Sequence, residues 1–180
     1  MPDKVITVHD KKFVSYIEAN NLQIRISEIA AQLNTHYAGK KPLFLAILNG
    51  SFMFAADIFR QVEVEAEICF VRLASYAGTQ STGEVITAIG LDTEIQNRHI
   101  VILEDIIDTG RTLSAFLPAL REKQPASIAI ATLLHKPAAT LFQVPIDYCG
   151  FTIPNLFVVG YGLDYNGLGR NLPGLYQLLS

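Results

Sequence analysis

The sequence predicts an α/β fold in which a mainly parallel sheet is covered by helices on both faces. Two observations predict it: short continuous apolar runs recur along the chain, and stretches with helical periodicity separate them. Strands that alternate with helices in this way are typical of a parallel sheet. The chain has 180 residues, and 50% of them are hydrophobic, so we expect a single domain over residues 1 to 180 with a substantial core.

The first predicted element is a helix from about 21 to 38. Apolar residues recur there at three- and four-residue steps, with Asn20 or Asn21 available as a cap and Gly39 at the end. The continuous apolar run from 43 to 48 then predicts a buried strand.

A tight loop at 49 to 51 and an apolar-periodic stretch through Phe59 predict a second helix. The run from 68 to 73 predicts the next strand. Residues 74 to 84 are small and polar and include two glycines, so they predict an exposed, mobile loop that can close over a ligand. A strand at 85 to 89 is expected after it.

The second half of the chain repeats the alternation. We expect a strand at 100 to 103, a helix near 112 to 122, a strand at 128 to 134 and a last strand at 157 to 160, before a glycine-rich tail. In open sheets of this kind, ligands bind where loops leave the carboxyl ends of the strands. The functional residues are therefore expected in those loops.

Composition excludes several classes of function. The formal net charge of -3 lacks the basic footprint of general nucleic-acid binding, so a small phosphorylated ligand fits better than a polymer. Cys69 and Cys149 have no partner at metal-ligand or redox-motif spacing and are expected to be reduced core residues. No apolar run reaches the length that spans a bilayer, so we expect a cytoplasmic protein with no membrane partner.

The segment from 101 to 113 carries the strongest chemical signal. A buried strand runs into Glu104 and Asp105, and a turn with hydroxyls and a glycine then opens a helix. Backbone N–H groups at the helix start, with the threonine hydroxyls and the helix dipole, form an anion cup. Ionised carboxylates only accept hydrogen bonds, so Glu104 and Asp105 suit hydroxyl donors such as a ribose diol. Together the two halves describe a site for a ribose 5-phosphate.

A simpler interpretation is that Asp108 and Thr109 only cap a helix while Glu104 and Asp105 are solvated acids at a strand end. Two adjacent acids directly after a buried strand favour the binding site, because carboxylates there are costly without partners. The Walker-type and dinucleotide-binding glycine patterns are both missing from the sequence, which argues against nucleoside triphosphatases and dehydrogenases.

Residues 104 to 112 resemble the motif that binds phosphoribosyl pyrophosphate (PRPP) in the purine phosphoribosyltransferases, in the form used by the hypoxanthine-guanine branch. Residues 48 to 51 are similar to the family's pyrophosphate loop, and Ser75 and Tyr76 open a segment similar to its flexible lid. The resemblance extends over residues 43 to 170. It implies the type I phosphoribosyltransferase fold, with a small hood formed by the terminal segments and a mobile lid.

The resemblance also implies a role for each matching residue. Asp108 would exchange a proton with N7 of the purine, and Glu104 and Asp105 would hold the ribose hydroxyls. The residues implied in binding PRPP or the nucleotide are Glu104, Asp105, Asp108, Thr109, Gly110, Arg111, Thr112, Asn49, Gly50, Ser75, Tyr76 and Arg170. Those implied around the base are Lys136, Phe157, Val158, Leu163 and Asp164. Mg²⁺ is the implied cofactor, with Asp164, Glu104 and Asp105 as its protein ligands.

Taken one at a time, several of these residues have a simpler interpretation. Lys136 fits a solvated lysine about as well as a ligand, and Asp164 fits a turn acid before Asn166. Arg170 fits a surface arginine, and an isolated Phe157 in an apolar run is usually a core residue. Asn49 departs from the lysine that many members of the family carry.

The implied activity is transfer of a phosphoribosyl group from PRPP to hypoxanthine, and to guanine, with release of pyrophosphate in purine salvage. Relatives of this kind are commonly dimers or tetramers, so a homo-oligomer is expected. Two other classes stay open from the residues alone. One is a non-catalytic protein that senses PRPP or a nucleotide, and the other is a phosphoacceptor signalling domain with Asp105 as the acceptor.

Overall fold

The computed structural model describes residues 5–77, 84–91 and 93–179. Within these ranges the chain has three α-helices and ten strands, and the strands form two sheets. The elements in chain order are β1 Val5–Val8, β2 Lys11–Ile17, α1 Ala19–His36, β3 Leu43–Leu48, α2 Phe52–Phe59, β4 Glu67–Ala77, β5 Glu84–Ile89, β6 His99–Ile107, α3 Arg111–Glu122, β7 Ser127–His135, a 3-10 helix Pro137–Ala139, β8 Tyr148–Thr152, β9 Val158–Val159 and β10 Leu175–Leu178. No helix in the described part of the chain is long and apolar enough to cross a membrane.

The larger sheet has the strand order β5-β4-β3-β6-β7-β8. Five of its strands are parallel, and β5 pairs antiparallel with β4 at one edge. Alternate residues of β3 and β6 enter two separate cores, one beneath α1 and α2 and the other beneath α3. Both faces are therefore buried, which explains the continuous apolar runs and confirms the predicted α/β fold.

The smaller sheet is antiparallel, in the order β1-β2-β10-β9, and it brings the two ends of the chain together. Its core consists of Val8, Phe13, Val159 and Tyr176. The resemblance predicted a hood built from terminal segments, and this sheet is formed by strands from the two ends of the chain. The strand predicted at 157 to 160 corresponds to β9, but it belongs to this antiparallel sheet and not to the alternating pattern of the larger one. The sequence analysis did not predict β1, β2 or β10.

Two loop and strand boundaries were predicted wrongly. β6 continues to Ile107, so Glu104 and Asp105 lie inside a strand and not after it. β4 continues to Ala77 and pairs with β5, which begins at Glu84, so residues 74 to 77 are not a loop. Main-chain pairing extends both strands past the apolar core. The rest of the predicted lid, residues 78 to 83, lies outside the described residues.

Smaller differences concern a cap and the cysteines. The residue before α1 is Glu18, and neither Asn20 nor Asn21 caps the helix, since both lie within its first turn. Cys69 and Cys149 are not joined in a disulfide, which agrees with the predicted reduced state, but each is half-buried and not enclosed in a core. Gly39 follows α1 with a φ of 71°, which suits its predicted place after the helix.

Candidate active site

The turn between β6 and α3 forms one wall of an open cleft. The cleft has a volume of about 200 Å³, and it is lined by Ile47, Leu48, Leu73, Glu104 and residues 106 to 113. Gly110 lies in this turn with a φ of 76°, and a Cβ atom there would overlap the carbonyl oxygen of Phe142. Glycine is therefore required for the turn that brings the first amides of α3 to the cleft.

The loop after Thr140 supports the same turn from behind. Leu141 and Phe142 both donate their backbone N–H groups to the carbonyl oxygen of Thr109, at 3.0 and 2.9 Å. The guanidinium of Arg111 lies over the Phe142 ring, 5.3 Å from its centroid. Thr109, Arg111 and Thr112 are exposed to the cleft, as an anion-binding turn requires.

The two acids of β6 differ in their surroundings. Glu104 is only 8% exposed, while Asp105 is half-buried. Burial, and then the hydrogen bond and charge of Asp105, raise the pKa of Glu104 well above its ordinary value of 4.5. Asp105 accepts a hydrogen bond from the Ile106 amide at 3.0 Å through Oδ1. The alternative that both acids are solvated is wrong for Glu104.

The loop between β3 and α2 packs directly on Asp105. A Cβ atom at Gly50 would overlap the Asp105 carboxylate, so the loop approaches this closely only because Gly50 has no side chain. Ser51 is buried, and its hydroxyl donates to the Ile47 carbonyl at 2.6 Å. Asn49 is exposed and follows a cis peptide bond with Leu48.

Lys136 and Asp108 form an ion pair at the rim of the turn of residues 108 to 112, which we call the phosphate turn because the sequence predicts a phosphate there. The ammonium lies 3.1 Å from Oδ2 of Asp108, and the side chains are 8% and 44% exposed. The Lys136 amide also donates to the carbonyl of Ile107 at 2.9 Å, which fixes it beside the end of β6. The alternative of a solvated lysine is therefore wrong, because the Lys136 side chain is almost completely buried.

The C-terminal tail carries the other residues predicted around the base. Phe157 is 45% exposed and therefore not a core residue, and its ring contacts those of Phe13 and Tyr165 at 6.2 and 5.8 Å between centroids. Val158 is buried in β9, and Leu163 is half-buried. The tail thus offers one exposed aromatic face on an apolar support.

Asp164 and Arg170 form the polar part of this tail. Their side chains make an ion pair at 2.6 Å, and Asp164 also accepts from the Gly167 amide at 2.6 Å, as a turn acid does. Arg170 donates through Nη1 to the carbonyl of Gly162 at 2.6 Å, so it is not a free surface arginine.

Ser75 and Tyr76 lie in β4, where their backbones pair with Ile86 and Val85 of β5. They therefore lie in the part of β4 that extends beyond its pairing with β3, which ends at Arg72. Among the described residues, no three acidic, histidine or cysteine side chains converge on a point where they could hold a metal ion by themselves. Glu104, Asp105 and Asp164 nonetheless offer the carboxylate oxygens that Mg²⁺ prefers, and a Mg²⁺ ion commonly takes one or two of these and completes its shell with substrate and water oxygens. The residues present fit an ion held partly by the substrate.

A family model for the phosphoribosyl transferase domain matches residues 14–166. The chain is 47% identical to a hypoxanthine-guanine phosphoribosyltransferase of Lactococcus lactis over 147 residues, which are 81% of this chain and 80% of the relative. The chain belongs to the hypoxanthine-guanine phosphoribosyltransferase family.

Two further comparisons agree with this membership. A hypoxanthine-guanine-xanthine phosphoribosyltransferase of Tritrichomonas foetus is 39% identical over 86% of this chain and 85% of its own length. The crystal structure of a hypoxanthine phosphoribosyltransferase from Staphylococcus aureus superposes with a TM-score of 0.85 at 38% identity, over 92% of this chain and 90% of that one.

These matches confirm the type I phosphoribosyltransferase fold and an enzyme of the phosphoribosyltransferase class. They lend no support to the regulatory alternative, since the relatives are named as transferases. The turn of residues 108 to 112, Glu104 and Asp105, and Lys136 lie together at one cleft or its rim.

Three residues that contact the site or its loops were given no role by the sequence analysis: Asp57, Tyr161 and Gly162. Tyr161 is buried and donates its hydroxyl to Asp57 at 2.5 Å, and Gly162 packs against the carbonyl oxygen of Gly50. The glycines on both sides of Tyr161 were the available signal, because they indicate unusual backbone angles at that point of the tail.

Proposed function

We propose that this chain is a cytoplasmic purine salvage enzyme that converts hypoxanthine, and guanine, with PRPP into IMP and GMP, releasing pyrophosphate. The observation that carries the proposal is the pairing of Asp108 with the buried Lys136 at 3.1 Å, directly beside the phosphate turn. A carboxylate and an ammonium at this point suit a purine that must lose one proton and present one oxygen.

The 5-phosphate of the ribose is assigned to the amides and hydroxyls of residues 108 to 112. The dipole of α3, whose 12 residues begin at Arg111, favours negative charge there. The ribose hydroxyls are assigned to Glu104 and Asp105, which line or flank the same cleft. Hydroxyl donors satisfy these carboxyl oxygens, whereas a phosphate would be repelled by an ionised Asp105.

Asp108 is proposed as the group that exchanges a proton with N7 of the purine. Departure of pyrophosphate leaves an electron-poor ribose carbon, and the base sheds a proton as it bonds to that carbon. The Asp108 side chain is 44% exposed toward the cleft, so it is within reach of a bound base, and proton transfer to a positioned carboxylate is the expected assistance.

Lys136 is proposed to read the oxygen at position 6 of the base. An ammonium only donates hydrogen bonds, so it is satisfied by the oxygen of hypoxanthine or guanine and repelled by the amino group of adenine. Because Lys136 has three donors, it can hold Asp108 and the base at the same time. Phe157 supplies an exposed ring on which the base can stack, with Val158 and Leu163 beneath it.

Pyrophosphate is assigned to the loop of Asn49 and Gly50 and to Arg170. When bound, Mg²⁺ would be held by Glu104, Asp105 or Asp164 together with substrate oxygens, and it would neutralise the leaving pyrophosphate. Ser75 and Tyr76 are proposed to help exclude water from the reacting ribose carbon, which would otherwise be hydrolysed.

The test is a base-by-base assay with PRPP and Mg²⁺, following nucleotide formation spectroscopically for hypoxanthine, guanine, xanthine and adenine. We expect turnover with hypoxanthine and guanine and none with adenine. Calorimetric binding of PRPP without pyrophosphate release from any base would instead identify a sensor. Covalent phosphorylation of Asp105 by a small phosphodonor would identify a signalling domain.

We also propose that residues 1 to 180 act as one phosphoribosyltransferase domain within a dimer or tetramer of identical chains. Light scattering on the purified protein measures the mass in solution, and a mass of 19.8 kDa, that of one chain, would contradict the oligomer.

A further inference from the structure

Tyr161 occupies a backbone conformation that a tyrosine rarely adopts. Its φ is 46°, and its neighbours Gly160 and Gly162 have φ values of 105° and 100°. Positive φ is uncommon for a bulky residue, and it persists only where surrounding contacts hold it. Two backbone hydrogen bonds do so in part: the Tyr161 amide donates to Leu172 and the Gly162 amide to Arg170, both at 2.9 Å.

The Tyr161 side chain supplies a third restraint. It is 4% exposed, and its hydroxyl donates to Oδ2 of Asp57 at 2.5 Å. The same oxygen accepts from the side-chain amide of Gln23 at 2.7 Å. Asp57 lies in α2 and Gln23 in α1, so one carboxylate connects two helices to the tail. Burial and then the Asp57 hydrogen bond raise the pKa of Tyr161, so the phenol stays a donor.

Arg60 is a charged neighbour of Asp57, but it contributes little to holding the Asp57 side chain. Arg60 approaches Oδ1 at 3.8 Å, but its side chain is 81% exposed, and an ion pair of this kind is weak. The strong contacts of Asp57 are therefore the two neutral donors, Tyr161 and Gln23.

The backbone next to Tyr161 touches two groups assigned to pyrophosphate. A Cβ atom at Gly162 would overlap the carbonyl oxygen of Gly50, so the two loops are packed with no side chain between them. The carbonyl of Gly162 accepts from Nη1 of Arg170 at 2.6 Å. A small displacement of Gly162 therefore moves both Gly50 and Arg170.

The position of Asp57 on α2 makes the arrangement specific. This helix begins at Phe52, directly after the loop that contains Gly50, and ends at Phe59. The same short helix thus carries the pyrophosphate loop at its start and the acceptor for Tyr161 in its second turn. A helix is a rigid spacer, so the hydrogen bond sets the distance between the two loops.

We propose that Asp57, acting through the Tyr161 hydroxyl, is a positioning residue that holds Gly162 against Gly50 and Arg170 and so maintains the pyrophosphate part of the site. The proposal rests on the proposed function. It differs from a purely stabilising role, because it requires that loss of the hydrogen bond weakens pyrophosphate binding more than it slows the chemical step.

The first test compares Tyr161→Phe, which removes only the hydroxyl, with the wild-type enzyme. In the reverse reaction from IMP, we expect the KM for pyrophosphate to rise about 5- to 10-fold, the usual effect of one buried hydrogen bond, with kcat within about twofold. Calorimetry of pyrophosphate with Mg²⁺ should show the same loss in Kd. The calorimetric arm works whether or not the wild type turns over, so failure of the proposed function and failure of this inference are distinguishable.

Two variants of Asp57 test the acceptor. Asp57→Ala should raise the KM for pyrophosphate as much as Tyr161→Phe does, and the double variant should raise it no further, because both changes remove the same Tyr161–Asp57 hydrogen bond. The Gln23 contact, which Asp57→Ala also removes, does not involve the tail. Asp57→Asn keeps an acceptor oxygen and should restore pyrophosphate affinity to within about twofold of the wild type.

Tyr148→Phe is the matched control for stability. Tyr148 is also buried, and its hydroxyl bonds to Nδ1 of His36 at 2.7 Å, at the C-terminal end of α1. This variant should lower the free energy of unfolding without changing the KM for pyrophosphate. Wild-type pyrophosphate affinity in Tyr161→Phe, or an equal loss of affinity in Tyr148→Phe, would overturn the proposal.

Discussion

Replacing Gly50 by alanine should damage ribose binding from within the pyrophosphate loop. A Cβ atom at Gly50 would overlap the carboxylate of Asp105, and the three nearest atoms all belong to that side chain. The φ of Gly50 lies outside the left-handed region, so alanine adds no backbone strain there. The cheapest response is therefore rotation of the Asp105 side chain away from the loop.

The magnitude follows from what a rotated Asp105 loses. An unfavourable rotamer costs about 0.5 to 1.5 kcal/mol, which limits the loss in free energy of unfolding. The lost charge-assisted hydrogen bond to a ribose hydroxyl is worth about 1.5 to 3 kcal/mol. At about 1.4 kcal/mol per factor of ten, PRPP affinity should fall by about 10- to 150-fold. The loss in binding free energy is thus expected to exceed the loss in free energy of unfolding.

Calorimetric titration of PRPP with Mg²⁺ measures this effect in a double-mutant cycle. Gly50→Ala should weaken binding in the wild-type background and add little in an Asp105→Ala background, because the clashing carboxylate is then gone. Gly39→Ala is the control: Gly39 has a φ of 71° and no atom within 4 Å of an added Cβ, so alanine should cost stability without affecting PRPP. Additive losses for Gly50 and Asp105 would refute the argument.

Three further predictions concern single side chains. Asp108→Asn should keep PRPP binding and slow nucleotide formation by about 10²-fold or more in single-turnover assays, and an unchanged rate would remove Asp108 from the mechanism. Lys136→Ala should impair use of hypoxanthine while sparing the Kd for PRPP, and equal loss of both would show that Lys136 does not read the base. Burial raises the pKa of Tyr37 from 10.0 to about 12, so the folded state keeps this proton longer than the unfolded state, and stability should fall as pH rises through this range. Denaturant unfolding should show a shallower fall in Tyr37→Phe, whereas identical slopes would contradict the assignment.

The best-predicted elements are those whose burial is uniform along the chain. β3 was predicted to its exact residues, because all six positions from Leu43 to Leu48 are apolar and both faces of the strand enter a core. α1 and α3 were predicted to within about two residues, since each presents one continuous apolar face. The local pattern of apolar residues was sufficient to predict these elements, because their burial is regular along the chain.

The hood was implied only by resemblance. β1, β2 and β10 are short, and β10 pairs with β2 across most of the chain length. Their core has four buried members, so the periodic signal in each strand is weak. The extension of β4 to Ala77 was missed for a related reason, because backbone pairing with β5 does not require apolar side chains.

The chemical inventory of the site was determined by the sequence alone. The acids, threonines and glycine of residues 104 to 112 lie within nine positions, and the amides that we assign to the phosphate belong to one turn and one helix start. Such a motif is local, so its donors and acceptors can be identified without knowing the sheet order. The turn was accordingly found at the predicted residues.

The tertiary structure decided which of these groups interact. It buried Glu104, paired Lys136 with Asp108 across 28 residues, packed Gly50 on Asp105, and joined Tyr161 to Asp57 across 104 residues. These contacts join segments that are distant in the sequence, and the order of strands in the two sheets determines which segments are neighbours. Strand order depends on the packing of whole elements, and no single segment of the sequence contains it.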